Sequence, residues 1–207
     1  MNSLKIRNAM PVDAQAIFEL SCTVYGHNPR LPTSDYIPAA ALMRHIERFA
    51  QGIFVAEIDK QIVGYAITIR TNHSPNDEAL NWFDAIGGLE MTKHEPNGAW
   101  LYGVDFGVHP DFRKHGIGTK LYRARFELVE RLDLDGFYAG GMLAGYVHFS
   151  QRLSIEEYGE HVRKGRIIDP TVSMQMKRGF QPGSVIQNYC GDSVVDCSAM
   201  MIVWHNQ

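Results

Sequence analysis

The residues with the clearest chemical potential form a short basic and glycine-rich stretch, RKHGIG, from Arg113 to Gly118. A glycine has no Cβ, so a backbone that contains Gly116 and Gly118 can approach a ligand closely. Between Arg113 and Leu132 the chain carries six Lys or Arg residues and two acidic residues, a local charge of +4 in a chain of net charge -3. The stretch therefore predicts a local site for an anion such as a phosphate.

This stretch lies between a predicted strand and a predicted helix. The apolar run from Ala99 to Val108 predicts the strand, and Gly116 to Leu132 predicts the helix. Apolar residues recur on one face of that helix at the 3.6-residue period, namely Ile117, Leu121, Ala124, Leu128 and Leu132. The first amides of a helix have no partner within it, and the helix dipole places positive charge there. The predicted position of the anion is therefore the N-terminus of this helix.

Two common phosphate-binding motifs do not match this stretch. A Walker loop requires G-x-x-x-x-G-K-[ST], and no glycine stands at the required distance before Gly116 or Gly118. A dinucleotide-binding fingerprint requires a third glycine where the chain has Leu121. These mismatches make a nucleotide-binding enzyme of another class the least favoured of the functions considered for this chain. What remains is R-x-x-G-x-G preceded by V-x-P.

The remaining sequence predicts one domain over residues 1–207, with inserted segments at about 71–98 and 144–169. In the first part of the chain we predict a strand around Leu4 to Ala9, helices from Asp13 and over Ala39 to Ala50, and a hairpin joined by Asp59 and Lys60. In the last part we predict a strand over Gly136 to Leu143, a helix with a capping box of Ser154 and Glu157, a short helix over Asp169 to Arg178, and strands over Ser184 to Tyr189 and Cys197 to Trp204. This order predicts an α/β mixed sheet with helices on both faces.

Composition excludes several classes of protein. A sequence pI near 6.3 is not the strongly basic balance of a general nucleic-acid binder. We expect no membrane segment, because the N-terminal stretch is polar and no run of about 18 apolar residues occurs. The three cysteines, Cys22, Cys190 and Cys197, contain no C-x-x-C pair, so we expect reduced thiols in a cytoplasmic protein. We expect no metal, because His109 and His115 lack a third ligand.

The strand, turn and helix resemble the GNAT superfamily of CoA-dependent N-acetyltransferases. The residues that carry this resemblance, in motif order, are Phe106, Val108, Pro110, Arg113, Gly116, Gly118 and Leu121. The longer string, LYGVDFGVHPDFRKHGIGTKLYRAR followed by D-P-T-V-S-x-Q-x-x-x-G-F, is similar to the GNAT domains fused to carbon-nitrogen hydrolases, although no hydrolase segment is present here. The resemblance implies a GNAT-like mixed, mostly antiparallel central sheet with helices on both faces.

The resemblance also implies acetyl-CoA as cosubstrate. The amides from Arg113 to Thr119 would bind the CoA pyrophosphate, and the backbone of Phe106 and Val108 would bind the pantetheine arm like an added strand. The residues implied to bind the cofactor are Phe106, Gly107, Val108, Arg113, Lys114, His115, Gly116, Ile117, Gly118, Thr119, Ser173 and Gln175.

Acetyl transfer to an amine requires a base, because an alkyl amine with a pKa near 10 is almost fully protonated at neutral pH. Asp105, on the predicted strand, is the first candidate, and a carboxylate merely paired with a nearby Arg or His is the alternative. His94 and Tyr102 are weaker candidates. For the acid, relatives carry a tyrosine where this chain has Gln175, so Tyr189 is the catalytic candidate, with Tyr146 and Tyr158 as others.

The acceptor is expected to be a primary amine of a small molecule or a peptide, attacked by the amine directly in a ternary complex. The acidic residues of segment 71–98 suit a cationic amine, and they equally suit a solvated loop. Segment 144–169 could enclose a pocket or form the contact of a homodimer. The alternative function is a non-catalytic acyl-CoA binding or sensing domain, because the usual tyrosine is missing.

Overall fold

The computed structural model describes residues 4–26, 36–190 and 197–206. Its strands are β1 (Lys5–Asn8), β2 (Ile53–Ile58), β3 (Gln61–Thr71), β4 (Trp100–Val108), β5 (Gly136–Met142), β6 (Gln181–Ile186) and β7 (Ala199–His205). Its α-helices are α1 (Ala14–Tyr25), α2 (Ala39–Phe49), α3 (Trp82–Ile86), α4 (Ile117–Arg131), α5 (Ile155–Arg163) and α6 (Val172–Met176).

The seven strands form one sheet in the order β1-β2-β3-β4-β5-β7-β6. Every neighbouring pair is antiparallel except β4 and β5. Side chains alternate between the two faces, as the two-residue period of a strand requires. One face packs on α1 and α2 and the other on α4, α5 and α6, so each face has its own hydrophobic core. The predicted mixed, mostly antiparallel sheet with helices on both faces is confirmed.

The parallel pair β4 and β5 is short. Their residues are paired only from Trp100 to Tyr102 and from Gly136 to Tyr138. Beyond these pairs β4 continues alongside β3, and β5 continues alongside β7. The facing edges of β4 and β5 thus separate and leave a cleft, here called the β4–β5 cleft, in the middle of the sheet.

Most predicted elements lie within one or two residues of the observed ones, and two boundaries were wrong. The short helix predicted from Asp169 to Arg178 is α6, which spans Val172–Met176. The last-but-one strand was predicted from Ser184, but β6 begins at Gln181. It includes Pro182, which has no backbone N–H. Because β6 is the edge strand of the sheet and has no neighbouring strand on its outer side, a proline is tolerated there.

Asp169 caps the turn that leads into α6, as predicted for it, and its carboxylate also bonds to other elements. Its Oδ1 accepts from the amides of Thr171 and Val172 at 2.8 and 2.9 Å. Its Oδ2 accepts from the Gly145 amide and the Tyr158 hydroxyl, both at 2.9 Å. The fully buried carboxylate therefore joins segment 144–169, α5 and α6. Whether segments 71–98 and 144–169 are insertions stays a prediction.

Replacing Asp169 with Ala is expected to lower the free energy of unfolding by about 3 kcal/mol or more, because it leaves several buried donors without an acceptor. Denaturant unfolding monitored by circular dichroism measures this change. Asp135→Ala, at an exposed carboxylate, is the control and should change stability by less than about 0.5 kcal/mol. Equal stability of the two variants would contradict the anchoring role.

The expectation of three reduced thiols was wrong for two of them. Cys190 and Cys197 form a disulfide, which brings the residue after Tyr189 to the start of β7. Their separation in the sequence, without a C-x-x-C pattern, gave no sign of this pairing. Cys22 is free and buried in α1. No helix in the described ranges is both long and apolar enough to cross a lipid bilayer.

Candidate functional site

The glycine-rich turn leads from β4 into α4 and presents unpaired backbone amides. Lys114 and Gly116 both have left-handed backbone conformations, with φ of 66° and 78°. The first bond of the helix runs from the Lys120 amide to the Gly116 carbonyl at 3.1 Å. Within the described part of the chain, no amide from Lys114 to Thr119 donates to a protein acceptor. The turn is largely exposed, so these amides are available to a ligand.

The two glycines of the turn serve different purposes. A Cβ on Gly116 would meet no atom within 4 Å, so its positive φ explains the glycine. Gly118 has an ordinary helical conformation, and a Cβ there would meet only Phe106 Cζ, at 3.5 Å, which is normal contact. Packing within the protein therefore does not require a glycine at position 118. A glycine at this position instead allows a ligand to approach the backbone closely.

The basic residues of the turn are not neutralised by the protein. Arg113, Lys114 and His115 are exposed, and none of them pairs with an acidic side chain among the residues that the structure describes. The Arg113 Nε donates to the Val108 carbonyl at 3.2 Å, which holds the side chain at the end of β4. The positive charge of Arg113 and Lys114 adds to that of the α4 dipole.

β4 turns an unpaired backbone edge toward the β4–β5 cleft. The His109 amide donates to the Val63 carbonyl at 2.9 Å, so alternate residues before it pair with β3. Phe106 and Val108 then point their backbone groups at the cleft. The Phe106 amide is occupied by its neighbour, since it donates to Asp105 Oδ1 at 2.7 Å. The Val108 amide and the Phe106 carbonyl have no hydrogen-bond partner among the described residues.

An extra residue interrupts the pairing of β4 with β3. Ile67 is opposite Asp105 and Thr68 is opposite Gly103, so Val104 is a β-bulge. The Val104 carbonyl accepts from the indole nitrogen of Trp82 at 2.7 Å. The bulge turns Asp105 to the face covered by α1, while Phe106 packs on the face covered by α4. Segment 71–98 therefore contacts β4 at the residue before Asp105.

Asp105 is held by tyrosines. Its Oδ1 accepts from the Tyr25 hydroxyl at 2.8 Å, and its Oδ2 accepts from the Tyr65 hydroxyl at 2.9 Å. Burial raises the pKa of Asp105, and the two hydroxyls and the Phe106 amide oppose that rise. In the described ranges no Arg, Lys or His pairs with it, and the alternative of a carboxylate paired with a cation stays a prediction.

Tyr102 and Tyr189 lie on the same face as Asp105. Their hydroxyl oxygens are 2.7 Å apart, and both side chains are buried. The Tyr189 ring lies directly on β5, because a Cβ on Gly140 would approach its Cζ to 2.2 Å. Burial raises the pKa of Tyr189 to about 12, which makes it a weak proton donor.

The other candidate side chains lie elsewhere or are engaged within the protein. His94 stacks on Phe49 with ring centroids 4.5 Å apart, its Nδ1 accepts from the Arg70 amide, and burial lowers its pKa to about 4. The Tyr146 hydroxyl donates to the Leu153 carbonyl, and the Tyr158 hydroxyl donates to Asp169. The polar groups of these three side chains are therefore already engaged within the protein.

The two polar residues predicted on α6 differ in their contacts. The Ser173 hydroxyl oxygen accepts from the Asp169 amide at 2.9 Å and so belongs to the turn before α6. Gln175 is buried, and its Nε2 donates to the Tyr122 hydroxyl of α4 at 3.1 Å. A Cβ on Gly141 would approach the Gln175 Oε1 to 2.4 Å, so this amide lies on β5 beyond the paired residues.

Several acidic side chains of segment 71–98 bond to residues within the segment or beside it. Glu90 forms an ion pair with Arg44, and Glu95 accepts from the amide and side chain of Asn72. Asp77 accepts from the Ser74 amide. These contacts favour the interpretation as a solvated, internally bonded loop. Across the described ranges, no three His, Cys, Asp or Glu side chains come together in a way that could hold a metal ion.

Several residues of the site were missed from the sequence. Tyr25 and Tyr65 gave no signal, because they are 80 and 40 residues from Asp105. Arg125 was included in the count of six Lys or Arg residues that predicts the anion site, yet it is buried against the rings of Phe106, Tyr122 and Phe137. A signal was available here, since Arg125 follows Leu121 by four residues and so shares the buried face of α4.

Comparison with known proteins gives matches over most of the chain. The model of the acetyltransferase (GNAT) family matches residues 15–144. A probable hydrolase, YhcX of Bacillus subtilis strain 168, is 32% identical over 166 residues, which are 80% of this chain but 32% of that protein. The chain thus spans about a third of the length of that relative.

Two further matches cover nearly all of the chain. An uncharacterized N-acetyltransferase of the same organism, YkwB, is 29% identical over 204 residues, which are 99% of this chain and 89% of that protein. The solved structure of GphF, described as a GNAT-like decarboxylase in complex with isobutyryl-CoA, superposes with a TM-score of 0.78 at 21% identity and covers 97% of this chain and 98% of that one. This last likeness is one of fold.

Proposed function

The chain belongs to the GNAT family of acetyltransferases, and we propose that it transfers an acetyl group from acetyl-CoA to the primary amine of a small molecule or peptide. The family and the N-acetyltransferase relative make it an acetyl-CoA-dependent acyltransferase. The amine acceptor, the site residues and the order of chemical steps are our proposal. The observation that carries it is the run of unpaired amides from Lys114 to Thr119 at the start of α4.

The proposed cofactor site is the glycine-rich turn together with the free edge of β4. The pyrophosphate accepts from the amides of the turn in front of Gly118, and Arg113 and Lys114 add positive charge. The pantetheine arm enters the β4–β5 cleft and pairs with the Val108 amide and the Phe106 carbonyl. We leave the Phe106 amide out of this pairing, because it already donates to Asp105.

The proposed acceptor site is the opposite face, around Asp105. Asp105 takes a proton from the incoming ammonium group, directly or through water, and the neutral amine attacks the thioester carbon. The Tyr65 hydroxyl remains a donor in this role, since burial and the Asp105 carboxylate raise its pKa well above the usual value. Tyr102 and Tyr189 are proposed to line this side of the site.

Direct attack in a ternary complex is favoured over an acyl-enzyme. An acyl-enzyme requires a nucleophile with a free, reactive side chain. Cys22 is buried, and Cys190 and Cys197 are joined to each other. Within the described residues, no cysteine thiol is therefore exposed at the cleft.

Acetyl-CoA at about 100 times its Kd is expected to add about 2.7 kcal/mol of stability. For a chain of this size that corresponds to a rise in Tm of about 5–10 °C, which differential scanning fluorimetry measures. NAD and ATP, which lack the thioester arm, are the controls and should give a smaller rise. Failure of acetyl-CoA to raise Tm would remove both the transferase and the acyl-CoA sensor.

Measurement of acetyl-CoA turnover distinguishes an acetyltransferase from a non-catalytic acyl-CoA sensor. Release of free CoA thiol is measured with acetyl-CoA and a panel of amines that contains spermidine, tyramine, free amino acids and short peptides with a free amino terminus. Thiol release that depends on one of these amines, with an acetylated product seen by mass spectrometry, supports the transferase. Tight binding of acetyl-CoA with no release above the rate without amine would favour the sensor.

A further inference from the structure

Unpaired buried polar atoms are concentrated around one side chain, Tyr122. Among the residues that the structure describes, four buried side-chain polar atoms have no hydrogen-bond partner. Three of them belong to residues in contact with Tyr122, namely Gln175 Oε1, Arg125 Nη2 and Arg178 Nε. A buried polar atom without a partner is costly, so such a concentration is typical of a site that receives a ligand.

Tyr122 and Gln175 together span the β4–β5 cleft on the face covered by α4 and α6. The Tyr122 ring is 5.1 Å from the ring of Phe106, which is on the β4 side of the cleft. The Gln175 amide lies on Gly141, which is on the β5 side. Gln175 Nε2 donates to the Tyr122 oxygen at 3.1 Å, so the phenolic O–H remains free to donate. A thioester that enters the cleft passes this hydroxyl.

Two guanidinium groups lie over the Tyr122 ring. The Arg125 Cζ is 4.1 Å and the Arg178 Cζ is 5.3 Å from the ring centroid. Arg125 is only 2% exposed, and none of the described acidic side chains pairs with it. The two guanidinium groups make cation–π contacts with the ring and so fix the position of its hydroxyl.

Building on the proposed function, we propose that Tyr122 is the catalytic residue that protonates the departing CoA thiolate. The family resemblance implies a tyrosine at the position of Gln175, and an amide has no proton of suitable acidity to give. It instead holds the hydroxyl of Tyr122, so the proton donor is on α4 rather than on α6. As the C–S bond breaks, its electron pair goes to sulfur and the Tyr122 proton follows. The phenolate then regains a proton from water.

Tyr122→Phe tests this assignment without an identified acceptor. The probe is CoA bound to the protein, whose thiol is titrated through the ultraviolet absorbance of the thiolate. A hydroxyl that donates to sulfur stabilises the thiolate, so its loss should lower the acid dissociation constant of the bound thiol by about tenfold or more. The phenyl ring keeps its packing against Phe106 and Phe180, so the Kd of CoA should change by less than about threefold.

Tyr146→Phe is the matched control, because this tyrosine lies on the same face of the sheet and its hydroxyl donates to a backbone carbonyl. Its bound thiol should titrate as in the unmodified protein. Equal titration in the Tyr122 variant and the unmodified protein would overturn the inference, and so would an equal change in the control. If the unmodified protein does not bind CoA, the proposed function itself fails, which is a different outcome.

Discussion

Asp105→Asn lowers kcat for amine acetylation by about 10²- to 10⁴-fold, the range that removal of a general base produces. Asparagine keeps the size of the side chain and still accepts from a tyrosine hydroxyl, but it takes no proton at neutral pH. The Kd of acetyl-CoA should change by less than about twofold, because Asp105 is on the face of the sheet away from α4. Steady-state kinetics and calorimetric titration measure the two quantities.

The control for this experiment is Asp135→Asn, at an exposed carboxylate before β5. It should leave both kcat and the Kd unchanged. An unchanged rate in the Asp105 variant, with the control also unchanged, would reject the assignment of the base. A loss of acetyl-CoA binding in the Asp105 variant would mean that the carboxylate supports the cofactor site.

The pH dependence follows from the same contacts. Burial raises the pKa of Asp105, so its basic form is lost, and the rate falls, at a pH above that for an exposed carboxylate. The Tyr25 hydroxyl favours the ionised form, so Tyr25→Phe should move the acidic limb of the kcat profile to higher pH. Tyr138→Phe removes a hydroxyl that donates to the His73 carbonyl, and it should leave the limb in place.

Gly118→Ala is expected to weaken acetyl-CoA binding by about 10- to 100-fold, because a methyl group in front of the free amides displaces the phosphate and each lost bond to a charged group is worth ~1.5–3 kcal/mol. The folded protein should tolerate the change, since the added Cβ has only normal contact with Phe106. Alanine also favours a helix over glycine by up to about 1 kcal/mol. Binding and stability should therefore move in opposite directions.

Gly116→Ala is compared with Gly118→Ala to separate an effect on stability from an effect on acetyl-CoA binding. The space around this residue is open, but its φ of 78° disfavours any side chain. We expect a loss of about 1–2 kcal/mol of stability, measured by denaturant unfolding beside the Gly118 variant. If Gly118→Ala destabilises the protein as well and leaves acetyl-CoA binding intact, the turn is not the phosphate site.

The cofactor side of the site could be predicted from the sequence because its signals are local. A strand, a basic glycine turn and an amphipathic helix follow each other between Trp100 and Arg131, and each has its own pattern. The position of Asp105 on the strand was also predictable. The bulge at Val104, which turns this carboxylate to the α1 face, was not, because it depends on register with β3.

The acceptor side could not be predicted because it is assembled from distant residues. Tyr25 comes from α1, Tyr65 from β3 and Tyr189 from the region after β6, and tyrosines without a spacing pattern give no reason to group them. The disulfide of Cys190 and Cys197 was missed for a different reason. The number of cysteines gives only a statistical expectation of whether a protein is in a reducing compartment. Whether two cysteines pair depends instead on how close the fold brings them.

The short pairing of β4 with β5 has a mechanical consequence. Strands β1 to β4 form one half of the sheet and strands β5 to β7 the other, and three residue pairs join the two halves directly. Beyond those pairs, Tyr122 and Gln175 lie between the two halves, and α4 contacts strands of both. A molecule that pairs with the free edge of β4 would therefore add a further link between the two halves of the sheet.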